Sequence, residues 1–260
     1  MSSKLLPSLF ALTLSALALP AVAQLTVTLP DQKPHPYTAE FKTTTVQTLP
    51  NGTTITRQST QIDAHDSAGR FMNSTTQETP LTNGQQWTNG HANDPVASTS
   101  TNWESNSKKA TIIHLPAQEE RKGCWANDAG TFRTAYGGQS LAPSPAVRLA
   151  EGHAQARPTT ENLGTTTIQG VEATGRRTTT TIPAGQAGND QPIVITHERW
   201  MSRGLGVGLV LRSIDDDPRS GVTTREVTNL TQGEPDPALF QPPDGYEVKT
   251  EELHQVACAQ

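Results

Sequence analysis

Basic clusters are missing from this chain, and their absence removes a first class of function. Its 20 Lys and Arg stand against 25 Asp and Glu, a formal net charge of −5 over 260 residues. No run of them forms the cationic stripe that nucleic-acid phosphates or an anionic lipid surface require. Amphipathic helical periodicity is almost absent too, which argues against a helical bundle. Hydrophobic residues reach only 33% and aromatic residues 5%, so the core must be thin and many strands solvated. The chain is nevertheless not built to be disordered: charge is low and mixed, and its 20 Gly and 19 Pro are spread as punctuation rather than as a repeat.

Long apolar runs are also scarce. The one present, Leu5 to Leu19, follows Lys4 and ends at Pro20, with Ala21-Val22-Ala23 before Gln24. A short basic start, an apolar segment too short to span a bilayer, and small residues at the last and third-last positions are the marks of a secretory signal peptide. Cleavage is expected after Ala23, delivering a periplasmic or secreted protein. With no cysteine near that junction, a lipid-anchored start is not expected. Residues 24–260 would then form a single all-β domain of about 237 residues carrying 19 basic and 25 acidic side chains, a net charge near −6. Cys124 and Cys258 are the only two cysteines, and an exported chain with an even number usually pairs them. Such a bridge closes a loop of about 133 residues, worth on the order of 4 to 5 kcal/mol in the chain-entropy picture.

What the chain has in abundance is alternation and threonine. Tyr37, Ala39 and Phe41 alternate with polar residues and run on through Thr43-Thr44-Thr45-Val46, the pattern of a half-buried strand. Asn51-Gly52 supplies the positive φ of a tight hairpin, and a second strand runs from Ile55 to Ile62. After a turn at Asp66 to Gly69, a third runs from Arg70 to Thr76. Asn83-Gly84 and Asn89-Gly90 read as turns around Trp87, and Thr99 to Trp103 with Ala110 to Leu115 as a hairpin. Residues 137–160 shift to Ala, Pro, Gly, Ser and Gln and read as a loop or linker. Strands resume at Leu163 to Ile168, turn at Gln169-Gly170, and continue over Val171 to Ile182, Ile193 to Met201, Val207 to Ile214 and Val222 to Leu230. Pro237 to Phe240 suits one helical or 3₁₀ turn. Roughly nine or ten strands with very little helix predict a mainly β fold, a curved antiparallel sheet or half-barrel.

The second half carries Leu163-Gly164-Thr165-Thr166-Thr167-Ile168-Gln169-Gly170-Val171, then His197-Glu198-Arg199-Trp200, an Asp215-Asp216-Asp217-Pro218 turn, and Pro237-Ala238-Leu239-Phe240-Gln241-Pro242-Pro243-Asp244-Gly245-Tyr246. With Tyr37-Thr38-Ala39-Glu40-Phe41, Asn51-Gly52 and Gly123-Cys124-Trp125, it resembles an uncharacterised family of secreted acidobacterial proteins. An Ile-x-Gly-Val turn, a Trp strand and a terminal Leu-Phe-x-x-Pro segment are, more loosely, similar to envelope half-barrel proteins of the LolA and RseB type. The resemblance implies a curved antiparallel sheet that binds acyl chains or senses envelope stress. This chain departs from the pattern in lacking long amphipathic helices and in placing Thr and Ala on its strands as often as Leu, Ile or Phe, so it does not imply a large acyl-chain cavity.

Motifs for specific chemistry are incomplete. His197-Glu198 lacks the second His that a zinc helix needs, since that position is Met201, and a cross-strand polar pair accounts for it. Asp215-Asp216-Asp217 lacks the alternate spacing of a calcium loop. Gly138-Gln139-Ser140-Leu141-Ala142 is not a nucleophile elbow, and Gly204-Leu205-Gly206-Val207-Gly208 reads as a hinge or hairpin rather than a dinucleotide loop. No metal or cofactor is expected. The expected function is therefore non-enzymatic: an exported envelope protein binding a protein, a peptide or a small, lipid-like amphipathic ligand on a curved sheet. Phe41, Ile55, Trp103, Trp200, Val210 and Phe240 are the candidate lining or core residues. The alternative is a secreted hydrolase whose site is dispersed in sequence, which would need several of His65, His114, His197, Asp128, Asp190 and Glu198 to converge on one cleft.

Overall fold

The computed structural model describes residues 35–78, 86–136, 158–202, 204–205 and 208–258. The proposed leader over residues 1–23, the Asn83-Gly84 turn and most of the 137–160 linker lie outside these residues. Strand accounts for 63% of the described residues and helix for 4%, the helix being two 3₁₀ turns, Gln118–Glu120 and Pro237–Phe240.

Alternating or Thr-rich stretches form the strands. The first six are β1 (Tyr37–Thr48), β2 (Thr54–His65), β3 (Phe71–Glu78), β4 (Gln86–Asp94), β5 (Thr99–Glu104) and β6 (Lys109–His114). The short strands β7 (Gly123–Ala126) and β8 (Arg133–Tyr136) follow. Then come β9 (Thr159–Ile168), β10 (Val171–Ile182), β11 (Ile193–Ser202), β12 (Val210–Asp217) and β13 (Gly221–Gln232), and finally β14 (Glu247–Glu252) and β15 (His254–Val256). Twelve of them make one sheet in the order β14-β6-β5-β4-β3-β2-β1-β13-β12-β11-β10-β9, and β15-β7-β8 make a small second sheet. Two meanders thus join where β1 pairs with β13, and the sheet stays open at β9 and β14.

The sheet is curved, most strongly towards β9. Four strand spacings separate β10 from β1, about 19 Å if flat. Yet Val171 and Ala173 of β10 share one apolar cluster with Tyr37, Ala39 and Phe41 of β1, Leu211 of β12 and Val227 of β13. Gln169, at the tip of the β9–β10 hairpin, donates to the Thr228 carbonyl on β13 at 3.2 Å. Bulges make this bend possible, because an extra residue in one strand kinks the ladder. Register breaks at Leu163, Leu211 and Thr228 each leave one residue without a partner. A second cluster gathers Ala64, Met72, Ala92, Trp103 and Ala110 under Phe240 of the 3₁₀ turn.

Four expectations are corrected. Asn89-Gly90 is not a turn but the middle of β4: Gly90 pairs with Trp103 on β5, and a Cβ there would lie 2.0 Å from the indole. The glycine makes room for a ring. Asp215 to Asp217 end β12 rather than forming a turn, since Asp215 meets His197 and Asp217 meets Arg219; the turn is displaced to Pro218–Ser220. The β1–β2 connection is the three-residue loop Pro50-Asn51-Gly52 with positive φ at Gly52 alone. Finally, the sheet is not wholly antiparallel: β14 adds to β6 in parallel, an edge strand too polar to announce itself.

Candidate functional site

The six residues proposed from sequence do not converge. Phe41 is fully buried and Trp200 packs against the same cluster, whereas Trp103 and Phe240 belong to the other. Ile55 is half-buried at the β1–β2 end, and Val210 half-buried at the start of β12. Nor do the histidines of the hydrolase alternative meet: His65 on β2 stands four strands from His114 on β6 in one direction and four from His197 on β11 in the other.

Around Phe41 lies a half-buried charge network. Arg225 on β13 sits 3.5 Å above the Phe41 ring and donates to Asp63 at 3.3 Å, while Gln61 donates to the other Asp63 oxygen at 2.7 Å. Burial pushes the Asp63 carboxyl up, against the pull of Gln61 and Arg225, and pushes His65 and Arg225 down. Tyr37 is pushed up to about 12 by burial first and by the Asp63 charge second. Perturbed groups mark functional sites and buried structural networks alike. Here Phe41 and Leu211 are 0% exposed, and the half-buried charges sit at the margin of that cluster.

An open pocket of about 390 Å³ lies on β9 to β11, lined in part by Asn162, Arg176, Thr178, His197, Arg199 and Met201. Strand register builds it. Arg176 faces Arg199, Thr178 faces His197 and Thr174 faces Met201 across the β10–β11 ladder, so these side chains leave one face of the sheet in three successive rows. Asn162 on β9 stands beside Arg176; its carbonyl oxygen accepts from the Gly164 amide at 3.0 Å, which turns its NH₂ group away as a donor. His197 Nδ1 lies 2.6 Å from Asp215, which Arg199 also reaches at 3.4 Å. Met201, 43% exposed, places a thioether one row beyond the guanidinium groups.

Beneath the pocket, Gly175 faces Trp200, whose Nε1 donates to Glu198 at 2.7 Å, and Glu198 accepts from Arg177 at 2.8 Å. Sequence reasoning named Trp200, which packs behind the pocket rather than lining it, and did not name the arginines. The register supplies the signal it lacked. Among the described residues, directly opposed Lys, Arg, Asp and Glu are of opposite sign at Lys42–Glu226, Arg212–Glu226, Arg177–Glu198, Arg177–Glu161, Glu104–Lys109 and Lys109–Glu247. Arg176–Arg199 is the one pair of like sign.

Cys124 and Cys258 form a disulfide with their Cα atoms 5.2 Å apart and 134 positions apart in sequence. It ties β7 to the segment after β15, and the Asn127 amide contacts Glu251 of β14. A bridge of this kind persists in an oxidising compartment.

No family model matches the chain, and no curated protein does. Among solved structures, the chain is loosely similar to proteins of LolA type. A LolA superfamily protein from Nitrosomonas europaea is 9% identical at a TM-score of 0.27, over 80% of this chain and 90% of that one. An outer membrane lipoprotein-sorting protein domain from Vibrio parahaemolyticus is 9% identical at 0.27, over 79% and 89%. LprF from Mycobacterium bovis is 12% identical at 0.32, over 83% and 91%.

Proposed function

We propose that the chain is exported, loses residues 1–23, and acts in the periplasm or outside the cell as a non-catalytic binding protein. Its ligand is a small amphipathic molecule, held in the pocket on β9 to β11. The observation that carries this reading is the lining itself: an exposed thioether at Met201 adjoins the guanidinium groups of Arg176 and Arg199 and the hydroxyl of Thr178, on strands whose ladder fixes their spacing. Small-ligand pockets combine apolar surface with a few polar groups that set orientation, at volumes of roughly 300 to 1,000 Å³. Trp200 packs behind Gly175 of the lining and Val210 pairs with Met201, while Phe41, Trp103 and Phe240 belong to the two clusters and Ile55 lies apart at the β1–β2 end. Native mass spectrometry of the protein purified from its own host tests both parts. The expected result is a chain beginning at Gln24 that carries a small organic adduct lost on denaturation. A chain still beginning at Met1 would sink the export reading, and a bare mass under gentle conditions would sink the ligand reading.

A further inference from the structure

Resting on that pocket as the binding site, we infer that its occupant carries an oxyanion, a phosphate or a carboxylate, gripped between Arg176 and Arg199. Like charges directly opposite on neighbouring strands weaken a sheet, and elsewhere in the described residues directly opposed charges are of opposite sign. Arg199 has a carboxylate partner in Asp215, which it shares with His197. Arg176 has no ion-pair partner among the described residues. The arrangement therefore leaves positive charge uncompensated on two exposed side chains that line the pocket.

An oxyanion resolves it. Two guanidinium groups on adjacent strands present planar sets of donors that match the geometry of phosphate or carboxylate oxygens. The Asn162 NH₂ and the Thr178 hydroxyl flank Arg176 as further donors. Met201 stands two residues beyond Arg199 on the same face, about 7 Å along the strand. An occupant with its charged end at the arginine row thus lays its apolar end towards Met201. The two arginines weaken the empty protein in order to bind, which gives the site opposite signatures in stability and affinity.

Isothermal titration of the disulfide-intact protein with octyl phosphate, octyl glucoside and inorganic phosphate, at concentrations where each is monomeric, tests this. Octyl phosphate is expected to bind roughly tenfold or more tightly than octyl glucoside. Arg176→Gln should abolish that preference and raise the melting temperature of the unliganded protein. If octyl glucoside binds as tightly as octyl phosphate, the oxyanion inference falls and the amphipathic reading stands. If inorganic phosphate binds as tightly as octyl phosphate, the oxyanion inference stands, its source is the free ion, and the amphipathic reading falls. Silence from all three probes overturns both, and an Arg176→Gln protein that melts lower while keeping the preference overturns the inference alone.

Discussion

Gly90 and Gly175 each lie across the ladder from a tryptophan, and the consequences differ with how firmly the ring is held. Trp103 is 5% exposed inside the second cluster, so the Cβ of Gly90→Ala, 2.0 Å from its indole, has nowhere to push it. Overpacking of this kind costs roughly 1 to 3 kcal/mol, and thermal denaturation should show it. Gly175→Ala meets the half-buried Trp200 at 2.6 Å; this ring can tilt at the cost of its bond to Glu198, so a smaller loss is expected. A melting temperature unchanged in Gly90→Ala would mean that the indole has room. Tyr37 gives a prediction in pH. Its phenol, ordinarily near 10, is raised to about 12 by burial and then by Asp63. The folded state therefore holds this proton more tightly than the unfolded one, and the contribution is complete below pH 10 and disappears as pH rises through about 12. The ceiling is roughly 2 to 3 kcal/mol. Denaturant titrations between pH 9 and 12 should show the native protein losing stability faster than Tyr37→Phe; parallel curves would rule this out.

Among the elements, the C-terminal strands depend most on a covalent tie. β15 has three residues, all paired to β7, and such a fragment cannot hold itself; Cys258 fastens it to Cys124. Replacing both cysteines by alanine should remove at most about 4 to 5 kcal/mol. It should also raise amide exchange first at 123–126 and 254–256, and exchange that rises uniformly through β1 to β6 instead would contradict this local role. The strands that sequence made legible are those that bury one face of a long ladder: Tyr37 to Val46 and Val171 to Ile182 alternate because every second side chain meets a neighbour. Gln169-Gly170 is legible for a local reason, since both residues take positive φ, as a two-residue hairpin requires. β14 was not legible. Glu247-Val248-Lys249-Thr250-Glu251-Glu252 is an exposed edge whose pairing with β6 is parallel and more than a hundred residues distant. Asn89-Gly90 misleads because glycine serves a turn and a close ring contact equally well. The arginine pair was hidden by register: a one-residue slip of β11 against β10 would set Arg176 opposite Glu198, and only the folded ladder decides between the two.

At the scale of the whole described molecule, the two apolar clusters lie on opposite faces of one sheet around β1 and β2. Ala64 is the register partner of Thr38, so it points away from the face that carries Tyr37, Ala39 and Phe41. Met72, Ala92 and, through the Gly90 row, Trp103 and Ala110 follow Ala64 across β3 to β6. Each face is thus closed by a different device. Towards β9 the sheet bends through its bulges, burying Leu211 and Val227 against Phe41. Over β2 to β6 the 3₁₀ turn is laid down as a cover, with Phe240 4% exposed and Arg70 resting 4.7 Å from its ring centre while paired to Asp66. The twelve residue pairs between β1 and β2 join the cluster on one face to the cluster on the other, a hydrogen-bonded seam rather than a shared core. Phe240→Ala should therefore cost about 3 to 5 kcal/mol on one side of that seam. Amide protection is expected to fall over β3 to β6 while β10 to β13 keep theirs, and denaturation followed at Trp103 should precede that at Trp200. Protection lost equally on both sides would show that the seam transmits the damage and that the two clusters fold as one cooperative unit.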